Sequence, residues 1–178
     1  MGYTPPMSLL SRLFKPQPDP REGLRPLWHR VVELSRGPEL YRDDGVADTV
    51  AGRFDMIAAV LALVLLRMER EPALAAESAL LTELFVADMD AQLRETGVGD
   101  IVVGKHMGKL MAALGGRLGA FREALASGDT AAFEAALERN TTMVDGRTAS
   151  DLAQRLRGFH DRLAGLDTER LLAGEIAL

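Results

Sequence analysis

The stretch Met56-Ile-Ala-Ala-Val-Leu-Ala-Leu-Val-Leu-Leu-Arg-Met68 carries one charge, near its end. As a helix it is about 20 Å long, short of the roughly 30 Å of a bilayer core. A helix that is apolar on every side has to be buried, so the rest of the chain must supply elements to pack around it. The remaining sequence suits that task, with 47% hydrophobic residues but only 5% aromatics. Abundant Ala and Leu favour helices joined through aliphatic side chains over a β-sandwich. At 178 residues the chain is expected to form one domain with a substantial core.

Helical patterning continues on both sides of this run. Leu27, Val31 and Leu34 repeat at helical spacing from Leu24 until Gly37-Pro38 stops them, and Pro26 suits a first turn. An irregular segment is expected from Glu39 to Thr49, with Asp48 or Thr49 as N-cap of the apolar helix. Leu81, Leu84, Phe85, Met89 and Leu93 mark an amphipathic helix over Glu77–Thr96, and further helices are expected at Ile101–Ala126 and Thr130 to about Thr142. Asp129 is the cap of the second of these, and Thr148-Ala-Ser-Asp151 reads as a capping box for a helix reaching Leu166. The expected fold is all-α, a single-domain bundle of about six or seven helices behind a proline-rich N-terminal tail.

That tail, residues 1–22, holds Thr4-Pro-Pro6 and Pro16-Gln-Pro-Asp-Pro20 around a short amphipathic piece, residues 7–15, with Leu9, Leu10, Leu13 and Phe14 beside Arg12 and Lys15. Two readings stand: docking on the chain's own domain, or weak contact with a membrane surface. No secretory signal is visible, so a cytoplasmic protein is expected, peripheral on the inner membrane if the tail binds there.

Charge and composition exclude several functions. Met1–Arg36 carries six Lys/Arg against three Asp/Glu, while the remainder carries 15 against 23, within a net charge of -5. Nucleic acid is not expected as a partner, since phosphates need a positive surface. The absence of cysteine removes disulfides, thiol nucleophiles, thiolate zinc sites and iron–sulfur ligation. The three histidines, at 29, 106 and 160, form neither Glu-x-x-His nor His-Glu-x-x-His, and no serine sits in a nucleophile elbow. Neither a metal nor a cofactor is expected, and no enzyme activity.

Gly99-Asp-Ile-Val-Val-Gly-Lys105 matches most of a phosphate-binding loop, but His106 stands where a magnesium-binding hydroxyl belongs. The element before it is a helix and not a strand. Gly97 therefore reads as a helix-ending glycine and Asp100 as the next N-cap.

Two features invite a binding role. Asp88 falls on the apolar stripe of its helix and needs a partner there, for which Arg53 is the candidate; it is either an interhelical brace or a groove group. Asp90, about 200° away around the helix, pairs with Arg94 on the solvent side. Gly104, Gly108, Ala112, Gly116, Ala120 and Ala124 form a row of small residues at four-residue steps. The row is either an intramolecular helix crossing or a groove for a foreign helix.

Three segments in this order, Leu40-Tyr-Arg-Asp-Asp-Gly-Val-Ala-Asp-Thr-Val-Ala-Gly-Arg-Phe-Asp55, Met89-Asp-Ala-Gln-Leu-Arg-Glu-Thr-Gly-Val-Gly-Asp100 and Gly116-Arg117, resemble the ubiquinol-cytochrome c chaperone family. The resemblance spans about Leu27 to Leu125. It departs at Val60, where family members often carry His, and at Leu114-Gly115, where they carry an aromatic.

What the resemblance implies is a non-catalytic assembly factor that receives newly made cytochrome b and helps build respiratory complex III. The matching positions are Asp48, Thr49, Gly52, Arg53, Phe54, Asp90, Arg94, Glu95, Gly97, Gly99, Asp100, Lys105, Gly116 and Arg117. Expected partners are apocytochrome b or assembly intermediates of complex III, and a small partner chaperone. Residues 23–147 would form the helical chaperone domain and 148–178 a C-terminal helical extension. The alternative is a helical quinone- or haem-binding protein, or an enzyme, with a pocket near Asp88 and Arg117.

Overall fold

The computed structural model describes residues 19–95 and 100–178, with side chains left aside at 93, 95 and 100–107. The tail piece 7–15 and the Gly97–Gly99 connection lie outside the described residues. Among those described, the chain is helical, as expected: α1 (Arg25–Leu34), α2 (Pro38–Arg42), α3 (Val50–Met68), α4 (Ala75–Glu95), α5 (Asp100–Ala126), α6 (Thr130–Asn140), α7 (Ser150–Ala164) and α8 (Thr168–Leu172). One isolated bridge, Val46 to Met143, joins two loops.

The apolar run becomes the axis of the molecule. Every residue from Met56 to Met68 of α3 is buried, and α1, α4, α5 and α7 pack around it. The surrounding helices each contribute one apolar face: Leu27, Trp28 and Val31 from α1, Leu81, Leu84, Phe85 and Met89 from α4, Leu114 and Phe121 from α5. Phe133 and Leu137 of α6 and Leu152, Leu156, Phe159 and Leu163 of α7 belong to the same core, α7 packing against the central helix and α6 against α5 and α7. Val60 is fully buried in this core. Among the described residues no helix is long and apolar enough to cross a membrane.

The single charge in the run, Arg67, is buried yet satisfied. Its Nε donates to the Leu163 carbonyl at 3.0 Å, its Nη2 donates to that of Leu166 at 2.8 Å, and it pairs with Glu71 at 2.6 Å. The guanidinium thus binds carbonyls where α7 ends, at the negative end of that helix.

The ends of the helices partly follow expectation. Thr49 caps α3, its hydroxyl accepting from Gly52 N–H at 3.1 Å, and Asp129 caps α6 through Ala131 N–H at 2.9 Å. The capping box at Thr148 does not form: the N-cap of α7 is Ala149, whose side chain offers no cap bond. Gly37-Pro38, read as a stop, starts α2, because proline tolerates the first turn as well as ending a preceding helix.

Candidate functional site

Gly52 lies one turn into α3, where its missing side chain matters. A Cβ there would sit 2.0 Å from the Ala47 carbonyl oxygen. The Ala47 carbonyl is held by two neighbouring bonds: Ala47 N–H donates to Thr142 O at 2.9 Å, and Thr49 N–H donates to Ala47 O at 2.8 Å. Only glycine lets the turn and the helix approach this closely.

The next residues point in different directions. Arg53 stays in solvent and pairs with Asp48 at 2.7 Å, with the two side chains 60% and 56% exposed. The Arg53 guanidinium holds the Asp48 carboxyl below its usual range, while Asp48 raises Arg53. Phe54 turns inward against Phe85, with ring centroids 6.2 Å apart, and Phe85 in turn meets Trp28 edge-on at 6.1 Å.

Arg117 of α5 completes this inward cluster. Its Cζ lies 5.8 Å from the Phe54 ring, and its Nη2 donates to Asp55 and, at 2.6 Å, to the Asn140 carbonyl. The second Asp55 oxygen accepts from Thr142 N–H at 2.9 Å and from the Thr142 hydroxyl at 2.7 Å. Burial lowers the Arg117 pKa, and Asp55 opposes that shift. Side-chain exposures of 6% for Arg117 and 13% for Asp55 make this a tie between α3, α5 and the end of α6, with no room for a ligand.

Asp88 is not Arg53's partner. It is only half-buried, on the edge of the stripe, and accepts from Gln92 at 3.4 Å. The reason is geometric: Arg53 leaves α3 beside Asp48 and Tyr41, on the α1–α2 side of the fold. Asp88 instead borders a groove of about 1000 Å3 between α1 and α4, with Trp28, Val32, Leu84 and Ala87 in its lining and Arg21, Arg25 and Glu33 beside them. Arg117 is absent from that lining, so this groove does not join the two residues.

Asp90 and Arg94 do pair as expected, at 2.8 Å and largely in solvent. Glu95, Gly97, Gly99, Asp100 and Lys105 lie outside the residues whose side chains are described. The small-residue row divides along α5. Ala124 is buried and Ala120 half-buried, but Gly108, Ala112 and Gly116 are exposed, and a Cβ on Gly108 or Gly116 would meet nothing within 4 Å. The intramolecular crossing expected for this row is therefore absent at its two described glycines.

The sequence over residues 42–178 matches the family described as ubiquinol-cytochrome C chaperone. The chain belongs to that family. It is also similar to a solved structure, the crystal structure of the Cbp3 homolog from Brucella abortus, with 34% identity, 87% of each chain covered and a TM-score of 0.76. No curated protein matches the chain.

Within this chaperone fold the residues carried by the resemblance separate by role. Thr49, Gly52, Phe54 and Arg117 hold the helices together. Asp48, Arg53, Asp90, Arg94 and Gly116 face solvent. Asp55, Asn140 and Thr142 complete the Arg117 tie, and sequence reasoning missed all three; the pairing joins residues 62 apart, and no local pattern marks it. Arg36, Tyr41 and Arg42, which gather around Arg53, were also missed, since Tyr41 and Arg42 lie in a segment that reads as irregular and Arg36 at the end of the preceding helix.

Proposed function

We propose that this chain is a non-catalytic assembly chaperone that binds newly made cytochrome b and promotes assembly of ubiquinol–cytochrome c reductase. The observation that carries the reading is the family match, which extends over most of the chain. The convergent charged groups of the interior support it, because Arg117 and Asp55 are consumed by one another and by backbone groups. An interior ion pair occupied in this way braces the fold rather than forming a reaction site, and leaves the surface to a partner.

The client surface in this reading is the corner from Arg94 to Lys105, continued along Gly108, Ala112 and Gly116 of α5 and joined by Asp48, Arg53, Asp90, Glu95, Gly97, Gly99 and Asp100; Phe54 and Arg117, expected there from the resemblance, turn inward and do not belong to it. It would hold a polar or helical segment of apocytochrome b until haem is inserted. The exposed glycines suit that task, since small residues let another helix backbone come close. The protein would work at the inner membrane, with a small second chaperone as a further partner.

The test is to delete the gene and measure quinol–cytochrome c reductase activity together with cytochrome b protein in the membranes. Loss of both with cytochrome oxidase intact is expected; normal levels of both overturn the reading. Replacing Arg94 and Asp100 with Ala should weaken client association without unfolding the domain, and unchanged association would remove this surface from the proposal.

A further inference from the structure

Arg36, just past α1, and Arg42 of α2 join Arg53 of α3 in lining a recess of about 380 Å3, whose other walls are Pro38, Tyr41 and Asp48. Three arginines and one carboxylate, that of Asp48, line it, with Asp43 bound to Arg42 beside it, in a chain of net charge -5. Arg36 has no ion pair or side-chain hydrogen bond among the described residues. Arg42 pairs with Asp43 at 2.8 Å and Arg53 with Asp48 at 2.7 Å, but all four side chains are half or more exposed. Exposed pairs of this kind contribute little and exchange readily for another carboxylate.

The recess has a defined shape. The Tyr41 hydroxyl donates to the Ser35 carbonyl at 2.6 Å, which fixes the ring as an apolar wall opposite Pro38. Burial raises the Tyr41 pKa, so the phenol stays neutral among the arginines. Arginine forks recognise carboxylates in two-point geometry, and Arg42 already shows such a fork, its Nε and Nη2 donating to the two Asp43 oxygens at 2.9 and 2.8 Å, while Arg53 gives Asp48 a single bond.

We propose that this recess binds the acidic side chains of an extended peptide segment in a protein partner. A bilayer surface is disfavoured because a plane meets protruding groups, whereas this recess is reached by a chain that can enter it. A free phosphate dianion is disfavoured because Asp48 remains in the lining and repels the doubled charge. The inference deepens the client-binding reading, to which Arg53 also belongs, by naming the kind of segment received there.

The experiment uses the purified full chain and two fluorescently labelled peptides, one rich in Glu and its counterpart with every Glu replaced by Gln. Fluorescence anisotropy should show the Glu peptide binding about tenfold more tightly, with the difference shrinking as salt is raised. The double variant Arg36→Gln/Arg53→Gln should lose that preference. Arg122→Gln, which removes an exposed arginine paired with Glu69 elsewhere, should keep it.

Equal binding of the two peptides, or an unchanged preference in the double variant, overturns the inference. Binding to phosphatidylglycerol vesicles in place of the peptide, abolished by the same double variant, assigns the recess to lipid headgroups and overturns it as well. Neither peptide contains the proposed client, so these outcomes are independent of the gene deletion that tests the assembly function.

Discussion

Gly52→Ala separates a structural role from a recognition role within the Gly52-Arg53-Phe54 motif. The added methyl would lie 2.0 Å from the Ala47 carbonyl oxygen, so about 1.3 Å must open to reach an ordinary C···O contact. The displaced turn carries both the Thr49 cap and the Ala47–Thr142 hydrogen bond. Losing the cap costs about 1 kcal/mol and losing the hydrogen bond about 1 kcal/mol, against a helix-propensity gain of at most about 1 kcal/mol for Ala over Gly. Residual crowding adds about 1–3 kcal/mol, so the net cost is about 2–4 kcal/mol. For a domain of this size that lowers Tm by roughly 5–10 °C.

Urea unfolding followed by circular dichroism measures the change directly, as a lower midpoint with an unchanged slope. A variant as stable as the natural chain, or more so, would refute the packing argument. At a temperature where it is still folded, the variant should bind its client normally, because Gly52 faces the Ala47 turn and not solvent.

Other substitutions probe the remaining features. Gly108→Ala and Gly116→Ala should each stabilise the fold by about 0.5–1 kcal/mol in the same assay, since the new methyls meet nothing and helix propensity rises. Gly116→Leu should leave stability near that of the natural chain but weaken client association in a pull-down, if the exposed face of α5 is a docking surface. Arg117→Met should cost about 3–5 kcal/mol by leaving Asp55 without its cation, and a double-mutant cycle with Asp55→Leu should show that the second change costs less in the variant than alone. Glu71 is held below its ordinary value of 4.5 by the Thr168 hydroxyl and by Arg67. The stabilisation it gives is complete above that ordinary value and disappears as pH falls through the lowered folded-state value; Glu71→Gln should flatten this acid limb in unfolding midpoints measured from neutral to acid pH.

Much of this fold could be read along the chain because its dominant signal is local. The run Met56–Met68 announces a buried helix by composition alone, and the spacing of Leu81, Leu84, Phe85 and Met89 marks the buried side of α4. Asp88 shows where such reading stops. Periodicity puts it on the stripe, but the stripe has an edge, and only the position of α1 decides that this edge borders a groove rather than a core. Gly52 and Gly116 are equally plain glycines in helical pattern, one indispensable and one unconstrained. The difference lies in a carbonyl from the preceding turn, which periodicity does not encode. The short helix Pro38–Arg42 escaped because Gly-Pro ends one helix and starts the next with the same two residues.

The ties on the central helix also set a timetable. Asp55 waits for Thr142, which follows it by 87 residues, and Arg67 waits for Leu163, which follows it by 96. At translation rates of about 5–20 residues per second, roughly 5–20 s pass between the making of Met68 and that of Leu163. During that interval α4 and α5 arrive to join α1 on the central helix, while the side that α7 covers stays exposed. The domain then closes late, when its last core helix arrives, and a ribosome that stalled before α7 was made would release a product with that side of its axis uncovered.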